Sequence, residues 1–219
     1  MTQPSAPNPI DLSLYLVTDH AICGSRGLIA TVTAALEGNV TAVQYRVKAI
    51  DMRDAIDEAS ALIALTRQAG IPFIVNDRLD LALAVDADGL HVGQSDMPPH
   101  LARRFLPPSK ILGLSVTAAA ELSTIDASLV DYVGLGPVFA TATKSDAASP
   151  LGLEQFRALR QAITLPVVAI GGIGRERAAG VIAAGADGIA VVSAICGAPD
   201  PAAAGRDLWQ QIIQARQQR

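Results

Sequence analysis

The sequence predicts a single-domain α/β fold, a (β/α)8 TIM barrel. Three observations carry that reading. The chain has 219 residues, within the roughly 200–250 that such barrels commonly occupy as one unit. Half of those residues are hydrophobic but only 4% are aromatic, so the core is built from Ala, Val, Leu and Ile. That composition suits buried parallel strands covered by Ala-rich helices. Finally, short β-branched runs alternate along the chain with Ala/Leu-rich stretches at helical spacing, and alternation of this kind implies parallel pairing with right-handed crossovers.

The elements follow in order. Strands are expected at Leu14–Thr18, Ala42–Val47, Pro72–Asn76, Gly89–Val92, Ile111–Val116, Tyr132–Gly136, Val167–Gly171 and Gly188–Ser193. Helical stretches between them include Met52–Ala69, Ser95–Phe105, Leu153–Ala162 and Arg175–Ala184, with a last helix over Pro201–Arg219. Ala69-Gly70-Ile71-Pro72 and Ala184-Gly185-Ala186-Asp187 each stop a helix at glycine and open a strand. Residues 1–10 are polar and Pro-rich and read as a disordered tail, which leaves 11–219 as the barrel. An open doubly wound sheet is the structural rival, favoured if the first strand were absent.

Composition narrows the function. A net charge of −4 and a pI of about 5.3 argue against a nucleic-acid footprint, while a few clustered cations can still bind an anion locally. The two cysteines, Cys23 and Cys196, lack metal-ligand spacing and read as reduced and structural. No apolar run is long enough to span a membrane, and the N-terminal segment has no targeting pattern, so a cytoplasmic location is expected. The sequence leaves a homo-oligomer open.

In this fold, chemistry collects at the C-terminal ends of the strands. The second strand ends Gln44-Tyr45-Arg46-Val47-Lys48. Alternation puts Gln44, Arg46 and Lys48 on one face, a candidate pyrophosphate clamp, and turns Tyr45 and Val47 to the other. The third strand ends Asn76-Asp77 and the fourth leads to Asp96. Two carboxylates at adjacent strand ends can hold one Mg²⁺, or each can cap the helix that follows. His91, inside the fourth strand, reads as a wall histidine; His20 and His100 are isolated and are assigned no role. Ser115 either donates to a substrate or caps a helix. Gly134 and Gly136 on the sixth strand leave interior space where a substrate can lie. The polar stretch Thr141-Ala142-Thr143-Lys144-Ser145-Asp146 has no periodicity and suits a lid. Gly171, Gly172 and Ser193 occupy the loops after strands seven and eight, where barrels often bind a phosphate. The residues alone thus predict a diphosphate site with a metal and a second, metal-free phosphate site in one mouth.

Several ordered motifs are similar to those of the thiamine-phosphate synthase family. They are Asn76-Asp77-Arg78, then Asp88-Gly89-Leu90-His91-Val92-Gly93-Gln94-Ser95-Asp96, Gly134-Leu135-Gly136-Pro137-Val138-Phe139 with Thr141, Thr143 and Lys144, Val168-Ala169-Ile170-Gly171-Gly172-Ile173, and Gly185-Ala186-Asp187-Gly188. The likeness runs from Leu14 to Ile195. It implies a (β/α)8 enzyme that joins 4-amino-5-hydroxymethylpyrimidine diphosphate to 4-methyl-5-(2-phosphooxyethyl)thiazole, releasing pyrophosphate. It further implies that Gln44, Arg46, Lys48, Asn76, Ser115 and Lys144 hold the pyrimidine diphosphate, with Arg46, Lys48, Ser115 and Lys144 as the catalytic set. Asp77 and Asp96 would bind Mg²⁺, and Thr141, Thr143, Gly172, Val192 and Ser193 would hold the thiazole phosphate. Two positions depart from the family pattern: Val47 and Ser95 each stand where glutamate is usual. Val47 is expected to face away from the mouth, and Ser95 to leave fewer acids near the metal.

Two other functions remain in view. A thiazole tautomerase-like relative would be expected to lose the diphosphate and metal residues, and to carry His rather than Ser at 115. A non-catalytic phosphate-binding regulator would not need both halves of the mouth.

Overall fold

The computed structural model describes residues 10–48, 50–143 and 148–218. Its strands are β1 (Leu14–Val17), β2 (Ala42–Tyr45), β3 (Phe73–Asn76), β4 (Gly89–Val92), β5 (Ile111–Val116), β6 (Tyr132–Leu135), β7 (Val167–Ile170) and β8 (Gly188–Val191). All are parallel, each pairs with its neighbour in sequence, and β8 pairs with β1 to close a barrel. The first strand is present and the sheet has no open edge, so the doubly wound alternative is excluded. The helices are α1 (His20–Cys23), α2 (Leu28–Leu36), α3 (Met52–Ala69), α4 (Leu79–Ala84), α5 (Pro99–Ala102), α6 (Gly152–Gln161), α7 (Arg175–Ala183), α8 (Ser193–Cys196) and α9 (Pro201–Gln217). Between β5 and β6 the described chain forms only a 3₁₀ turn, Ala119–Thr124.

Two cores hold the barrel. Outward strand residues such as Leu14, Leu16, Val43, Phe73 and Val75 pack with the helical faces, including Ala55, Ala59 and Leu62 of α3 and Val181 and Ile182 of α7. Small alanines let the helices lie close to the sheet. Inside, Tyr15, Val17, Ala42, Ile74, Tyr132, Val168 and Ala190 form a second cluster, on which Ile10 also packs. Ile10 therefore belongs with the barrel rather than with the tail expected over 1–10; residues 1–9 of that tail lie outside the described residues.

An aspartate opens three of the four even-numbered strands and ties each to its neighbour. Asp88, Asp131 and Asp187 precede β4, β6 and β8. Their carboxylates accept from the N–H groups of Phe73 (2.8 Å), Leu112 (2.7 Å) and Val167 (2.8 Å) at the starts of β3, β5 and β7. Arg103 and Arg160 brace the last two at 2.6 and 3.0 Å. These contacts pin the strand register at the end opposite the mouth, which lets the other end carry irregular loops.

Two expected elements differ. The helix expected over Ser95–Phe105 shrinks to Pro99–Ala102, because Pro98 and Pro99 hold the preceding backbone extended and supply no N–H donors. Most strands also stop a residue or two short of the expected end: β2 ends at Tyr45, β7 at Ile170 and β8 at Val191.

Candidate active site

At the C-terminal ends of the strands opens a cavity of about 560 Å³. Gln44, Arg46, Lys48, Asn76, Asp77, Asp96, Ser115, Thr141, Thr143, Gly172, Val192 and Ser193 all line it. These are all the site residues expected from the sequence except Lys144, which lies outside the described residues.

The β2 side is built to hold charge. Beyond Tyr45 the chain leaves the ladder, and the Arg46 N–H donates to the Thr18 hydroxyl at 3.1 Å. The Arg46 guanidinium reaches Asp19 at 3.3 Å, with both side chains largely buried. Asp19 in turn caps α1 by accepting from the Ile22 N–H. This carboxylate fixes the Arg46 fork from behind, and sequence reasoning missed it; its signal was an acid immediately after the first strand. Lys48 is exposed and supplies a mobile point charge. Val47 also lines the cavity, contrary to the alternation argument. Alternation applies only within a strand, and β2 has already ended.

Asp77 has φ +61°, a left-handed conformation that Asp and Asn tolerate better than other non-glycine residues. The turn is held by the Asp77 N–H donating to the His91 carbonyl at 2.8 Å and the Leu79 N–H to the Asp77 carbonyl at 3.1 Å. Neither aspartate stands at a helix N-cap position. The residue capping α4 is Arg78 and that capping α5 is Pro98, each without a side-chain cap bond. Asp96 instead accepts from the Gly93 N–H at 2.8 Å, which closes its own loop. Among the described residues no group of three or more His, Cys, Asp or Glu gathers to form an all-protein metal cage. Two carboxylates lining one cavity fit Mg²⁺, which takes few protein oxygens and completes its shell with water and phosphate.

The β6–β8 side uses backbone. Gly171 and Gly172 have φ +101° and +62°. A Cβ on Gly171 would strike Pro137, and one on Gly172 the Ala140 carbonyl. These glycines let the segment after β6 lie along the end of β7, with Val138 N–H donating to the Ile170 carbonyl (2.8 Å) and Phe139 N–H to that of Gly171 (3.0 Å). Ser193 opens α8. Glu121 also lines the cavity, but its carboxylate is engaged by the Thr117 N–H (2.6 Å) and hydroxyl (3.0 Å).

The floor refines two expectations. Gly134 and Gly136 both line the cavity as expected, but Gly134 also makes room for the wall, since a Cβ there would come within 3.1 Å of the His91 ring. At Gly136 it would strike the Ile170 carbonyl, so this glycine permits close approach of β6 and β7. Ser115 caps no helix; its hydroxyl pairs with His91 Nε2 at 2.8 Å. His91 is the wall histidine expected, 6% exposed. Burial lowers its pKa to about 4, only partly opposed by the charge of Asp96, so it is neutral near pH 7. Burial pushes the Tyr15 and Tyr132 hydroxyls above their usual range, so they stay protonated.

The family model for thiamine monophosphate synthase matches residues 14–195. This chain belongs to that family. A thiamine-phosphate synthase of Azorhizobium caulinodans is 52% identical over 210 residues, 96% of this chain and 99% of that one. Another, from Moorella thermoacetica, is 50% identical over 203 residues, 93% and 97% of the two chains. The solved structure of a thiamine phosphate pyrophosphorylase from Pyrococcus furiosus superposes with a TM-score of 0.85 at 38% identity, covering 94% of this chain and 98% of that one. The matched span of the thiamine monophosphate synthase family runs from β1 to α8 and so contains every strand that feeds the mouth.

Proposed function

We infer that this chain has thiamine-phosphate synthase activity: it joins 4-amino-5-hydroxymethylpyrimidine diphosphate to 4-methyl-5-(2-phosphooxyethyl)thiazole and releases pyrophosphate. One observation supports it above the others. The cationic strand end, the two carboxylates and the glycine-hydroxyl loops line one cavity, as a diphosphate and a monophosphate meeting in one mouth require.

The reaction needs no general base, because the attacking thiazole nitrogen carries no proton. The methylene–oxygen bond breaks and its electron pair leaves with pyrophosphate. The aminopyrimidine stabilises the cationic methylene, and the nitrogen lone pair then forms the new C–N bond. The protein has two tasks, to orient the partners and to balance the departing charge. Arg46, braced by Asp19, and Lys48 face the diphosphate. Unit charges about 4 Å apart interact by roughly 4 kcal/mol at an effective dielectric near 20. Asp77 and Asp96 would hold Mg²⁺, which when bound neutralises phosphate oxygens. Asn76 orients the diphosphate, and Lys144 joins the set by family resemblance. Thr141, Thr143, Gly172, Val192 and Ser193 anchor the thiazole phosphate. Among the described residues no helix is long and apolar enough to cross a membrane; we place the enzyme in the cytoplasm, acting on small molecules.

The test supplies both substrates with Mg²⁺ and follows thiamine phosphate and pyrophosphate together. Equimolar appearance of the two is expected. Conversion of the thiazole alone, or binding without turnover, would overturn the reading.

A further inference from the structure

Below the mouth, five polar side chains from five strands form one continuous chain of hydrogen bonds through the barrel interior. The Gln44 amide Nε2 donates to the Tyr15 hydroxyl at 3.1 Å. Tyr15 and Tyr132 hydroxyls lie 2.9 Å apart. Tyr132 meets His91 Nδ1 at 2.9 Å, and His91 Nε2 meets Ser115 Oγ at 2.8 Å. The two tyrosines are 1% and 0% exposed. No buried side-chain nitrogen or oxygen among the described residues lacks a partner. The barrel makes room for the chain, since a Cβ on Gly113 would strike both Tyr132 and His91.

Proton counting gives this chain a direction. Each tyrosine hydroxyl has one proton, and a neutral imidazole has one N–H. Tyr15 accepts from Gln44, so its own proton goes to Tyr132. The Tyr132 proton then goes to His91 Nδ1, which leaves the imidazole proton on Nε2, directed at Ser115 Oγ. Ser115 accepts from His91 and its proton turns to the cavity. The opposite polarity, with Gln44 still donating, would aim two donors at the Tyr15 oxygen and bury the Tyr15 proton without an acceptor, a costly arrangement. It would also present only lone pairs of Ser115 to a mouth built for anions. The same logic commits one Gln44 N–H inward and leaves its carbonyl oxygen for the cavity. The mouth thus offers an acceptor on the β2 wall and a donor on the β5 wall, matched to a substrate ring that carries an amino group and an acceptor atom.

We propose that His91, oriented by Tyr132 and Tyr15, is a positioning residue that fixes the Ser115 hydroxyl as a hydrogen-bond donor into the active site. The identity of the group Ser115 meets rests on the proposed function; the direction of the chain does not. Linked hydrogen bonds polarise one another, so breaking the chain anywhere frees the Ser115 rotor.

The decisive measurement is the imidazole ¹⁵N–¹H correlation spectrum of the ¹⁵N-labelled resting protein, with the His91 signals assigned by their loss in His91→Asn. The expected spectrum has the proton on Nε2 and a pyridine-like Nδ1. A proton on Nδ1, as a rotated Gln44 amide would produce, overturns the proposal, and this result is independent of turnover. In Tyr132→Phe, His91 is expected to populate both tautomers. Its kcat should fall roughly tenfold, as expected for loss of one oriented hydrogen bond, with KM for the diphosphate changed much less. Tyr15→Phe should give a smaller loss in the same sense. A tyrosine variant that folds, keeps the single tautomer and turns over at the parent rate also overturns it. If the parent made no product yet carried the Nε2 proton, the proposed function would fail while the directed chain stood.

Discussion

The two halves of the mouth offer opposite means of holding a phosphate. The β2–β4 side presents acidic and basic side chains: Arg46 braced by Asp19, Lys48, Asp77 and Asp96. The β6–β8 side presents neutral groups, with Gly171 and Gly172 in left-handed conformations and hydroxyls at Thr141, Thr143 and Ser193. The reaction explains the division. Charge grows on the diphosphate as it departs, so interactions there strengthen towards the transition state and raise kcat. The thiazole phosphate keeps its charge throughout, so uniform binding by fixed dipoles serves it and appears in KM. Substitutions on the first side should therefore lower kcat, and those on the second should raise KM.

The largest effect is expected for Asp77→Asn. Asparagine accepts the φ of +61° that Asp77 occupies, so the turn survives while the carboxylate charge is lost. Turnover at saturating substrates should fall on the order of a hundredfold or more, with a higher Mg²⁺ concentration needed for half-maximal rate. A Mg²⁺ titration superimposable on the parent's would break the contrast between the halves.

Between them, the floor should announce itself through pH. The folded-state pKa of His91 is about 4, against about 6.5 for a free imidazole. Below 6.5 the unfolded chain binds a proton that the folded chain refuses, so the contribution is intact above that pH and is lost as pH falls towards 4. The full difference is on the order of 3 kcal/mol. Chemical denaturation of the parent and of His91→Asn across pH 4–7 should therefore show the cost of the substitution shrinking as pH falls. A cost that is constant with pH would mean that His91 titrates normally.

Gly172→Ala probes the neutral half. The added Cβ meets the Ala140 carbonyl at a positive φ, which costs roughly 1–3 kcal/mol of stability. The KM for the thiazole phosphate should rise several-fold while kcat stays near the parent value. A fall in kcat with unchanged KM would place this loop among the groups that meet the departing charge.

The same division decides what the sequence could tell. Charged residues at strand ends declare their chemistry by type, so Arg46, Lys48, Asp77 and Asp96 were legible and all reach the cavity. Strand alternation placed Gln44 correctly within β2 but failed at Val47, two residues past the end of that strand. Asp19 was missed because an acid after a strand reads equally as a helix cap, and it does both jobs. Tyr15 and Tyr132 were illegible as polar groups, since an interior tyrosine in a strand first reads as apolar bulk. Only the placement of β1, β4 and β6 around the closed barrel reveals that the two hydroxyls meet directly and that His91 joins them at Tyr132. The helix expected over Ser95–Phe105 failed locally, because periodicity cannot outweigh two prolines that remove donors.

The smallest effect sharpens the comparison most. Arg78 directly follows Asp77, and if nearness to the Asp77 turn were what mattered it would count with Arg46. Its guanidinium instead turns away, onto Asp80 at 2.7 Å and Met52 Sδ at 3.0 Å, and it is absent from the lining of the large cavity. Asp80 is more than half exposed, so this pair contributes about 0.2–1 kcal/mol at most, less at high salt. Arg78→Ala should keep kcat and both KM values within about twofold, because a cation paired with Asp80 outside the cavity is screened from the leaving group. Arg46→Ala, by contrast, removes a fork that faces the diphosphate and leaves the largely buried Asp19 without its cation, so it should lower kcat. Equal losses in the two variants would show that net positive charge around the rim, rather than the aimed geometry of Arg46, carries the departing diphosphate.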